Sequence, residues 1–89
     1  MDWLHAVERS DLSVPAKKLA RILVERYAAM NDRYCQFRDN QLPAAMRVDE
    51  HVAVSAKRQL ESGGYLVQLR FGTGQKPMYV MSMPTDFAE

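Results

Sequence analysis

Eighty-nine residues, 47% apolar and 26% charged, have room for one globular domain and carry too much apolar side chain for a disordered chain. Twelve Lys and Arg against eleven Asp and Glu leave a formal charge of +1, so binding to nucleic acid or an acidic membrane must come from local patches rather than bulk attraction. No apolar run is long enough to span a bilayer, the acidic and interrupted start does not read as a signal peptide, and the single Cys35 suits a reducing compartment; the expectation is a cytoplasmic protein.

In chain order, residues 2–9 predict a short helix with Trp3, Leu4 and Val7 on one side. Ser13 is placed to cap a second helix, with Pro15 in its first turn. From Val14 to Met30, Leu19, Ile22, Leu23, Tyr27 and Met30 recur at helical steps and form one stripe opposite Lys17, Arg21, Glu25 and Ala28, and Asn31 and Asp32 end it. Tyr34 to Phe37 predicts a short strand. Asp39 or Asn40 is expected to cap a very short helix to about Met46, with Leu42 and Met46 inward and Pro43 tolerated in its first turn. After Arg47 and Val48, Asp49 is expected to cap a further helix that turns Val52, Ala53, Ala56 and Leu60 one way and stops at Gly63-Gly64. The period then changes from about 3.6 to about 2. Tyr65 to Phe71 is a strand, Gly72 to Pro77 a turn and Met78 to Met83 a second strand, closed by Pro84.

This order of elements is that of an α+β winged helix-turn-helix: three helices and a C-terminal β-hairpin wing, with a short extra helix at the N-terminus. The chain resembles the winged-helix domains of phage and plasmid replication proteins and of small bacterial and phage regulators. The resemblance is carried by Lys17-Lys18-Leu19-Ala20, Cys35-Gln36-Phe37, Leu42, Asp49-Glu50-His51-Val52-Ala53, the run from Arg58 to Leu66 and Tyr79-Val80-Met81. It covers residues 12–83 of a single domain over 1–84, with 85–89 as a flexible tail. Two positions depart from it. Arg47 stands where a glycine able to take φ > 0 is usual between the two helices, and Pro43 stands where a small residue is usual.

The fold identifies candidate contacts for double-stranded DNA, with the helix after Asp49 in the major groove. Its outward side carries His51, Val54, Ser55, Arg58, Glu61 and Ser62, with Lys57 at the edge. Arg58 suits a guanine edge or a phosphate, and Ser55 and His51 can donate to phosphate oxygens. Arg47 would meet phosphate at the helix entrance, and Thr73 and Lys76 would do so from the hairpin turn. The plainer reading is a solvated helix face and an ordinary turn. From Arg47 to Met83 five basic residues face three acidic ones, a thin footprint for a monomer and an adequate one for a homodimer.

Both faces of the hairpin look partly apolar. Either Trp3 and Leu4 cover one, or Val67, Leu69, Phe71 and Val80 form a patch for a protein partner or a second copy. A winged helix acting as a protein-interaction module is therefore the alternative function. His5, Cys35 and His51 have no close metal-ligand spacing, and Cys35 in an apolar strand reads as inert. No enzyme activity, metal or cofactor is expected.

Overall fold

The structure, a computed structural model, describes residues 3–29, 34–69 and 77–83. Among these residues it is α+β, with four α-helices and a small antiparallel sheet. Helix α1 (Trp3–Glu8) buries Trp3 and Val7 as its spacing predicts. Helix α2 (Val14–Ile22) starts at Ser13, whose hydroxyl accepts from the Ala16 N–H at 3.4 Å, and Pro15 sits in the first turn where no N–H is required. An Arg21–Glu8 ion pair of 2.6 Å ties α2 to α1 at the surface, where such a pair adds little stability.

The expected helix to Met30 is shorter. After Ile22 the chain widens into a π-helical turn, Leu23–Tyr27, and leaves the helix at Ala28, which has φ −69° and ψ 147°. Ala28–Ala29 form strand β1, paired antiparallel with strand β2 (Tyr34–Gln36). Alanine carries no strong strand signal, so the partner strand decides what local preference does not. The inserted turn brings Tyr27 against Phe37, with ring centroids 6.0 Å apart.

A 3-10 turn (Asp39–Gln41) leads into helix α3 (Leu42–Met46), whose Leu42 and Met46 are buried as expected. Neither Asp39 nor Asn40 caps it. Both lie inside the 3-10 turn, which starts from Arg38 with the Arg38 N–H donating to Gln41 Oε1 at 2.7 Å. Helix α4 (Glu50–Ser62) buries Ala53, Ala56 and Leu60 and packs chiefly on α2. Strands β3 (Leu66–Leu69) and β4 (Met78–Met81) complete a sheet ordered β1-β2-β4-β3.

The register settles which hairpin face is which. Leu66 faces Met81 and turns inward, with Tyr79 buried on the same side. Val67 opposite Val80 and Leu69 opposite Met78 share the outer face, with Tyr34 beside Val80 from β2. Trp3 lies in the core with Leu66 and Met81, and its indole N–H donates to the Tyr65 carbonyl at 2.8 Å. The N-terminal helix therefore closes the inner side and leaves Val67 36% exposed. No helix among the described residues is long and apolar enough to cross a membrane. The expected hairpin turn, with Thr73 and Lys76, together with Phe71 and the 85–89 tail, lies outside the described residues.

Candidate functional site

The turn between α3 and α4 sets the site. Arg47 takes φ 59° and ψ 48°, the left-handed conformation that a glycine would adopt without strain. The Val48 N–H then reaches back to the Pro43 carbonyl at 3.1 Å and satisfies one of the last carbonyls of α3. The Arg47 side chain is exposed at this corner.

Asp49 holds the N-cap position in extended backbone, φ −68° and ψ 157°, and its carbonyl accepts from Val52 and Ala53, each at 3.1 Å. Its carboxylate makes no cap bond, contrary to expectation. The α4 start is exposed at Asp49, Glu50 and His51, so water can satisfy the first-turn N–H groups without it.

Down the outer side of α4, His51, Val54, Ser55 and Arg58 fall at helical spacing and are all exposed. Together with Glu50 they line an open groove of about 510 Å³. The site thus joins one guanidinium, one imidazole and one hydroxyl to an apolar Val54 and a carboxylate. Chemically it can donate hydrogen bonds from Arg58 and Ser55, accept at Glu50 and contact a methyl group with Val54. Among the described residues Arg58 enters no ion pair.

Lys57 is not part of this surface. Its ammonium lies 2.7 Å from Asp39 Oδ1 and 4.9 Å from the centre of the Tyr79 ring, and its side chain is only 13% exposed. Burial opposes its charge, but the bonds to Asp39 and Tyr79 outweigh that and hold the ammonium above the usual lysine range. Burial likewise raises the Tyr79 hydroxyl, against the opposing pull of Lys57. Tyr79 stacks on Phe37 at 4.4 Å, so Lys57 clamps the approach to α3 onto α4 and the sheet. Cys35 is fully buried, and burial pushes its thiol up to about 12, so it keeps its proton near neutral pH.

Gln59 is the residue the sequence reading passed over. Its Oε1 accepts from the Ser13 N–H at 3.1 Å and its Nε2 donates to Ser55 Oγ at 3.4 Å. The spacing of four between Ser55 and Gln59 was the available signal. Comparison with known proteins returned no match to a family model, a curated protein or a solved structure.

Proposed function

We propose that this chain is a winged helix-turn-helix domain that binds double-stranded DNA sequence-specifically, with α4 in the major groove, in transcriptional regulation or replication control. The observation that carries the reading is the exposed face of the 13-residue α4, where Arg58, Ser55, Val54 and His51 share one groove while the opposite side of the helix is buried. A helix of this length, preceded by α3 and a three-residue turn, can project one face beyond the rest of the domain. Arg58 serves as the base or phosphate contact, Arg47 as the phosphate contact at the helix entrance, and Thr73 and Lys76 as backbone contacts from the wing. Glu50 sits where a phosphate would be repelled and a cytosine amino group would be accepted. Two copies double the modest positive surplus, which favours a homodimer.

The test is fluorescence anisotropy of the purified chain with random-sequence duplex DNA at several salt concentrations. Binding that weakens steeply with salt supports phosphate contact, and no binding at low salt sinks the proposal.

A second reading, a protein-interaction module, is favoured by one observation. Val67, Leu69 and Val80, with Met78, share the sheet face opposite the buried Leu66, Tyr79 and Met81. Under that reading Val67→Asp abolishes capture of a protein partner and leaves DNA affinity unchanged.

A further inference from the structure

Building on the DNA-reading proposal, we infer that Gln59 is a positioning residue that makes Ser55 a hydrogen-bond donor, so that α4 selects acceptor groups. The orientation of the Gln59 amide follows from its far end. The Ser13 backbone N–H can only donate, so the group 3.1 Å from it must be the amide oxygen, Oε1. That leaves Nε2 toward Ser55, at 3.4 Å from Oγ. An amide NH2 has no acceptor capacity, so Ser55 Oγ accepts and its own proton goes elsewhere. Among the described residues that proton has no acceptor, and Ser55 is exposed on the groove.

The consequence is a matched pair. Ser55 and Arg58 are neighbours three apart on one helix face; Arg58 can only donate outward, and Ser55, with one of its two lone pairs taken by Gln59, is turned toward donating. Two adjacent donors fit a partner with two adjacent acceptors. In the major groove guanine presents O6 and N7, whereas cytosine presents an amino donor. Phosphate oxygens offer the same acceptor chemistry. An unconstrained serine, with both lone pairs open, would accept as readily as donate, and the preference for acceptors would be lost.

The experiment is a double-mutant cycle on the full chain with Ser55→Ala, Gln59→Glu and the pair. Affinity is read by anisotropy on two duplex pools, one of A·T pairs only and one containing G·C pairs. Gln59→Glu keeps an oxygen for the Ser13 N–H but replaces the donor with an acceptor that draws the Ser55 proton inward. It should weaken binding at least as much as Ser55→Ala, by about 2- to 10-fold for one hydrogen bond. Its hydroxyl-dependent part should vanish when Ser55 is already alanine, and should return in a Ser55→Thr background. The effect of the added charge cancels in the cycle. Loss confined to the G·C pool identifies the guanine edge, and equal loss on both pools identifies an acceptor the two share, a phosphate oxygen or a purine N7; either supports the inference. Equal effects of Gln59→Glu with and without the hydroxyl overturn it while leaving DNA binding intact. A parent chain that binds neither pool at low salt overturns both. Thermal melting of each variant verifies that the Ser13 contact still holds α2 to α4.

Discussion

Helices α3 and α4 end in the same way and for different purposes. After α4, Gly64 takes φ 83°, the Tyr65 N–H bonds the Leu60 carbonyl at 2.9 Å, and the Gly64 N–H bonds that of Glu61 at 3.1 Å. After α3, Arg47 takes φ 59° and the Val48 N–H bonds Pro43 in the equivalent way. The glycine turn is tied into the core. Its carbonyls receive the Trp3 indole, the Ser82 N–H and the Ser82 hydroxyl at 2.8 to 2.9 Å. The arginine turn is exposed on both sides of Val48 and carries a cation beside the start of α4. A non-glycine residue in this conformation costs roughly 1–2 kcal/mol. Strain of this kind persists where the rest of the structure enforces it and, often, where the side chain has work to do.

Alkali tests the core side of this comparison and should have the largest effect. Cys35 holds its proton to about 12 in the folded chain against 9.0 as its ordinary value, because it is buried. Tyr79 and Lys57 are raised as well. A folded-state value above the unfolded one means stability is complete below about pH 9 and is lost as pH climbs toward about 12. Thermal midpoints should hold steady from neutrality to about pH 9 and then fall. Cys35→Ala should lessen the fall, and an unchanged fall would mean that the thiol is not protected by burial.

On the exposed side, under the DNA reading, Arg58→Ala should weaken binding to a cognate duplex by about 1–3 kcal/mol and relax specificity there, with melting unchanged. Lys57→Met should do the reverse. Removing the Asp39 pair and the Tyr79 ring contact should cost about 1 kcal/mol of stability and leave duplex affinity within twofold. If the two neighbouring cations behave alike, their division into a clamp and a contact is wrong. Gly64→Arg sharpens the point by placing the residue of the outer turn in the inner one. Denaturant titration should show a loss of about 1–2 kcal/mol from the left-handed backbone alone.

Much of the fold was legible because its signals are local. Ser13 before Pro15 announced the start of α2, Gly63-Gly64 the end of α4, and the change of period the β3–β4 pair. The end of α2 was not legible, since Ala28 and Ala29 favour helix locally and only pairing with Cys35 and Tyr34 overrides that preference. The exposed face of α4 followed from spacing. The fate of Lys57 did not, because Asp39 lies 18 residues away and reaches it only through the folded chain. Gln59 was hidden for the same reason, its decisive partner Ser13 being 46 residues distant.

Arg47→Gly is the smallest change and the most discriminating. Glycine releases the left-handed strain but loses more entropy on folding, so the net gain should be about 0.5–1 kcal/mol in denaturant titration. Under the DNA reading the same variant loses a phosphate contact. Its affinity should fall on every sequence alike, and the dependence of log affinity on log salt should flatten by about one. A chain that becomes more stable and binds less well would show that the arginine is held in a strained corner for its charge. Gain in stability with no change in binding would leave the strain without a purpose in DNA contact and turn attention to the outer sheet face, where Val67 and Val80 lie.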